Sequence, residues 1–156
     1  MENSDLDRFD YMILDALAVD GRMSITELSA RIGLSKTPCQ RRVEKLQRSG
    51  VIRGFAAIID PAVLGRRHIA FVEVKLSDTR AAALAAFSGA VRKIPEIEEC
   101  HMIAGGFDYL LKVRTENILA YRKLLGEVIS SLPHVAQTST FVVLEPVKEA
   151  ADRALS

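Results

Sequence analysis

The chain has 156 residues, 49% of them apolar, and a formal net charge of +1. That length suits one ordinary domain or two small ones, and the apolar content can bury a core, which excludes a disordered chain. No apolar run approaches the roughly 20 residues of a membrane span, the acidic start MENSDLDRFD is unlike a secretory signal, and Cys39 and Cys100 have no CxxC or ligand spacing, so both are expected as reduced thiols in the cytoplasm.

The first third reads as three helices. Leu6, Phe9, Ile13 and Leu17 fall on one face of a helix that Gly21 ends. Ser24 or Thr26 can start a second, with Ile25, Leu28 and Ile32 inward and Gly33 as its stop. Leu34 and Ser35 form a tight turn into the third. Two short helices joined by a turn of about four residues containing Gly make the helix-turn-helix pattern.

The third helix has two possible starts. Ser35 can cap it, or Thr37-Pro38-Cys39-Gln40 can form a capping box with Pro at the first helical position. Cys39, Val43 and Leu46 make its inward stripe, and Gly50 closes it. At 100° per residue the opposite face carries Thr37, Arg41, Lys45 and Arg48, flanked by Gln40 and Arg42.

Charge is concentrated on this helix. Residues 1–30 hold two Arg/Lys against seven Asp/Glu. Residues 31–53 hold seven against Glu44 alone, and the remainder holds twelve of each. A solvated helix usually mixes signs for i,i+4 pairing. A one-signed face on the second helix of a helix-turn-helix instead predicts docking on a polyanion in the major groove. Lys36, Arg42, Lys45, Arg48, Ser35 and the helix N-terminus suit phosphates. Gln40 and Arg41 suit base edges, and Thr37 a thymine methyl.

VIRGFAAIID, ending at Pro61, is a short β-rich run that reads as a wing or a linker strand. Residues 68–76 then alternate as a strand, with Ala70, Val72, Val74 and Leu76 on one face. Residues 79–93 are helical, with Leu84, Phe87, Val91 and Ile94 aligned. IEECHMIAG and DYLLKVR are strands joined directly at Gly105-Gly106. Residues 116–131 form a helix with Tyr121, Leu124, Leu125 and Val128 inward, and VAQTSTFVVLE is the last strand. The order βαββαβ is ferredoxin-like. Ile94-Pro95-Glu96-Ile97 and Leu132-Pro133-His134-Val135, 38 positions apart, suggest two related halves.

The predicted fold class is therefore α+β, a winged or plain helix-turn-helix domain (1–54), a linker strand (55–66) and a ferredoxin-like domain with a C-terminal tail (67–156).

The stretches LDRFDYMILDAL, SITELSARIGLSKTPCQRRVEKLQRSGVI, EIEECHMIAGGFDYLLKVR and AYRKLLGE resemble the Lrp/AsnC, or feast/famine, transcription regulators, nearest the leucine-responsive branch. The resemblance implies homodimers assembled through the effector-domain sheets, often joined as four dimers into an octamer. It implies a free amino acid bound where dimers meet. The family's Gly-x-x-Asp turn is matched by Gly105 and Asp108. Ala104, Gly105 and Gly106 would offer bare N–H groups to a carboxylate and Asp108 an acceptor to the ammonium. Met102, Ile118, Phe141, Val142 and Val143 match positions lining or bordering that site and suit an apolar side chain, leucine or another branched-chain residue first, with proline, alanine or methionine also fitting. Residues alone leave another reading, a plain hairpin turn in which Asp108 caps its own loop.

The expected function is amino-acid-responsive binding to double-stranded DNA, with half-sites about 10 bp apart or a multiple, and no cofactor, metal or membrane partner. An enzyme is the first rival. His68, His101 and His134 are scattered, and no HExxH, GxSxG or P-loop appears. Sirohaem decarboxylases nevertheless resemble the same two-domain plan. The second rival is an amino-acid-sensing module without DNA binding.

Overall fold

The computed structural model describes residues 6–149. The chain divides into two units at Ile58/Ile59, with Ile59–Pro146 as the second.

The first unit holds α1 (Arg8–Val19), α2 (Ile25–Ile32) and α3 (Lys36–Arg48). α1 and α2 both begin in a reciprocal capping box, Asp7 with Asp10 and Ser24 with Glu27. Gly33 ends α2 in the left-handed conformation at φ 73°, which glycine adopts without steric cost. Ile13, Ala16, Leu28, Ile32, Cys39, Val43 and Leu46 form one buried core. Its members recur at the helical spacing of each element, so one face of every helix points inward.

α3 begins one residue after Ser35, whose side chain makes no capping bond. The Thr37–Gln40 box does not form, because Thr37 already lies inside the helix. Pro38 sits third rather than first, where a missing N–H still costs no intrahelical bond.

Residues 51–67 contain no strand. The predicted wing or linker strand finds no ladder partner within the described residues, and Phe55, Ile58 and Ile59 stand about half exposed. β propensity alone cannot satisfy a lone strand's backbone groups.

The second unit comprises β1 (His68–Leu76), α4 (Ala81–Val91), β2 (Ile97–Met102), β3 (Tyr109–Thr115), α5 (Ile118–Glu127) with a 3-10 turn at Ile129–Ser131, and β4 (Val135–Val142). The sheet order is β2-β3-β1-β4, all antiparallel, the ferredoxin-like arrangement. Val72 stands opposite Leu111 and Val74 opposite Tyr109. These residues, with Ala70, Leu76 and Val113, pack against Phe87 and Val91 of α4 and Tyr121 of α5. By alternation Phe71, Glu73, Lys75, Lys112 and Phe141 fall on the other face of the sheet.

The two related motifs fold alike. The Ile97 N–H donates to the Ile94 carbonyl and the Val135 N–H to that of Leu132, each at 3.2 Å. Each turn leads into a strand with a register irregularity.

Two local expectations fail. The β2–β3 connection is a loop of residues 103–108, not a direct Gly-Gly turn. The helix tightens after Glu127, so Ile129 is buried and Val128 is not. A 3-10 turn advances more degrees per residue and so changes which side chain faces inward.

Candidate functional site

The helix-turn-helix presents α3 as the sequence orders it. Cys39, Val43 and Leu46 are buried, so Thr37, Arg41, Lys45 and Arg48 are turned outward and exposed. Ser35, Lys36 and Gln40 are exposed as well. Lys36, Arg41 and Lys45 carry no ion pair among the described residues. Gln40 donates to the Glu44 carboxylate at 3.0 Å, and the Arg48 Nε approaches the Glu44 carbonyl at 3.4 Å. Glu44 therefore engages neighbours on its own helix. Burial pushes the Cys39 thiol up, consistent with a packing role.

Arg42, expected at a phosphate, pairs with two carboxylates at the start of α1. Its Nη2 lies 2.7 Å from Asp7 and its Nη1 2.8 Å from Asp10, a carboxylate 2% exposed. The guanidinium also sits 5.5 Å from the centre of the Phe9 ring. Hydrogen bonding from Arg42, then from the Asp10 N–H, holds the Asp7 carboxyl below its ordinary value. The same pairing, Asp10 first, raises Arg42. The helical wheel places Arg42 on a flank but cannot show that its partners lie 32 and 35 residues earlier.

The expected effector residues form two groups in the second unit. Met102, Ala104, Gly105, Gly106 and Asp108 lie at the β2–β3 loop. That loop is tied to the far end of β1, where Lys75 Nζ donates to the Gly106 carbonyl at 3.0 Å and the Leu76 N–H to Asp108 Oδ2 at 2.7 Å. Phe141 and Val142 pair with Phe71 and Ala70, and the Val143 N–H donates to the Ile69 carbonyl. Ile118 follows Thr115, which stands opposite His68, and so belongs to this second group. Leu76 lies five residue steps along β1 from Phe71, roughly 16 Å at the strand rise. One chain does not bring both groups around one small molecule.

Beside the loop is a depression of about 230 Å³ lined by Glu73, Lys75, Gly106, Phe107, Gln137 and Ser139. Four of these come from β1 and β4. Only the ladder register reveals that they border the Gly-Gly loop, and the sequence pattern gave no signal for them.

The architecture defines a class: a DNA-binding helix-turn-helix followed by a ferredoxin-like unit suited to bind a ligand. Residues 6–53 match the winged helix-turn-helix DNA-binding model and residues 69–152 the Lrp/AsnC ligand-binding domain. The chain belongs to the Lrp/AsnC family of DNA-binding transcriptional regulators. It is 64% identical to a proline dehydrogenase transcriptional activator of Rhizobium radiobacter over 148 residues, covering 95% of each. It is 49% identical to the leucine-responsive regulatory protein of Escherichia coli K12, covering 93% of this chain and 88% of that one. Among solved structures it matches a Neisseria meningitidis transcriptional regulator in complex with L-Met, at TM-score 0.85 and 32% identity, over 92% of this chain and 93% of the other.

Proposed function

We propose that this protein reads DNA through the exposed face of α3 and adjusts that binding, or its own assembly, in response to a free apolar amino acid. The observation that carries the DNA reading is the outward face of Lys36, Arg41, Lys45 and Arg48 over a buried Cys39–Val43–Leu46 stripe. Lys36, Lys45 and Arg48 hold phosphates, while Arg41 and Gln40 read base edges. Ser35 and Thr37 lie at the helix start, where the N–H groups suit a phosphate and the Thr37 side chain suits a thymine methyl.

The effector reading rests on the β2–β3 loop. Asp108 takes the ammonium group, and the N–H groups of Gly105 and Gly106 take the carboxylate. Lys75 and Glu73, in the neighbouring depression, offer a second pair of opposite charges. The apolar residues at the other end of the sheet, Ile118 and Phe141 to Val143, are supplied by another copy of the chain. That arrangement makes ligand binding depend on assembly, so a ligand favouring one assembly shifts its population. The open sheet face is the dimer surface, and dimers join into a higher oligomer, an octamer in the family pattern. The named relatives point to proline, leucine and methionine as the first ligands to try. The protein acts in the cytoplasm and is not an enzyme.

A thermal-shift screen with the twenty amino acids tests the ligand, because binding to the folded state raises the melting point. Mobility shifts at two salt concentrations test DNA binding. A rise with one or a few apolar amino acids and a salt-sensitive shift support the proposal. No rise with any amino acid would remove the effector half, and no shift at low salt would remove the DNA half.

A further inference from the structure

The carboxylates of Asp7 and Asp10 each serve two partners. Asp7 Oδ1 accepts the Asp10 N–H at 3.0 Å and Asp10 Oδ2 accepts the Asp7 N–H at 3.2 Å, closing the cap of α1. The remaining oxygens, Asp7 Oδ2 and Asp10 Oδ1, receive the two arms of Arg42 at 2.7 and 2.8 Å. The first turn of α1 and the flank of α3 are thereby one hydrogen-bonded unit, with the Phe9 ring beside the guanidinium. Arg42 stands next to Arg41, which projects from the exposed face. A planar guanidinium holding two carboxylates in separate directions resists rotation and sliding of α3 in a way that packing alone does not.

We propose that Arg42 is a positioning residue for DNA reading: it contacts no phosphate and fixes the angle at which α3 offers Arg41 and its neighbours to the groove. The inference rests on the reading of the α3 face as the DNA surface. It has a counterintuitive electrostatic consequence. Removing an acid from a DNA-binding head ordinarily tightens binding, since less negative charge meets the phosphates. Here the loss of Asp7 as a clamp partner weakens selective binding.

The test uses the full chain and two duplexes, one selected by the wild-type protein from random sequence and a scrambled one of equal length. Asp7→Asn keeps a good N-cap for α1 but loses the charge that grips Arg42. Arg42→Lys keeps the positive charge but loses the fork. Both variants are expected to bind the scrambled duplex with unchanged salt slope, which also shows a folded head. Both should lose preference for the selected duplex by on the order of tenfold, the range set by one misplaced bidentate contact. If Asp7→Asn binds both duplexes more tightly with its preference intact, or Arg42→Lys keeps full preference, the clamp role is overturned and Arg42 is a phosphate contact or a bystander. If the wild-type chain enriches no sequence at all, the reading of the α3 face fails first and the clamp role falls with it.

Discussion

Asp108 accepts the Leu76 backbone N–H at 2.7 Å through one carboxylate oxygen, and its other oxygen takes no hydrogen bond among the described residues. The residue assigned to the ligand ammonium therefore also ties the β2–β3 loop to the end of β1. One oxygen serves the fold, and in the proposed site the other takes the ligand ammonium.

This division of labour separates two substitutions at that position. Asp108→Asn can still accept from Leu76 but loses the charge. It should fold, bind DNA and give no melting shift with the amino acid that stabilises the wild type. Asp108→Ala leaves the Leu76 N–H without its partner and should also cost roughly 1–2 kcal/mol of stability. Thermal melting with and without ligand checks both. A normal ligand shift in Asp108→Asn would count against the site.

The two serines that precede helices should behave differently. Ser24 accepts the Glu27 N–H and meets the Glu27 carboxylate, so Ser24→Ala should cost about 1 kcal/mol. Ser35 makes no capping bond, so Ser35→Ala should leave the melting point almost unchanged. Equal losses from the two would contradict the assignment of the caps.

That contrast shows what a sequence pattern can carry. Ser24 and Gly33 flank one short helix, and the chemistry of a cap is local, so spacing named Gly33 as the stop and narrowed the start to Ser24 or Thr26; the reciprocal bonds with Glu27 assign it to Ser24. Ala70, Val72, Val74 and Leu76 were equally legible, since alternation names the buried face of a strand. Arg42 was not, because its partners are remote in sequence and a lone arginine on a helix flank has the same local signature whether it meets a phosphate or an aspartate. Asp108 was half legible: its motif marked the loop, but its bond to Leu76 depends on register. The run from Val51 to Asp60 has strand composition without a strand partner among the described residues, and composition cannot supply one.

Acid should weaken the head unit through its capping carboxylates. The Ser24 hydroxyl, then the Ser24 N–H, hold Glu27 below its ordinary value of 4.5, as Arg42 does for Asp7. A carboxyl whose folded pKa is lowered binds fewer protons than in the unfolded chain, so its stabilisation is present above the ordinary value and lost as pH falls through the folded one. The melting difference between wild type and Glu27→Gln should accordingly shrink as pH falls from 7 through 4.5 and below. A gap that widens on acidification would reverse the sign and refute the pairing.

Phe87 carries the core of the second unit. It is fully buried, and its ring centre lies 4.5 Å from that of Tyr109. Phe87→Ala should destabilise that unit by about 4 kcal/mol, the sum of lost transfer energy and an unfilled cavity. Denaturant unfolding checks the value, and a loss under 1 kcal/mol would mean the site collapses around the gap.

The most direct measurement is the salt dependence of DNA binding by Arg41→Ala and Lys45→Ala, compared with wild type on a selected and a scrambled duplex. Lys45→Ala should weaken both complexes alike and reduce the slope of log affinity against log salt by about one. Arg41→Ala should narrow the gap between the two duplexes. Wild-type affinity, slope and preference in both variants would show that the outward side of α3 does not meet DNA.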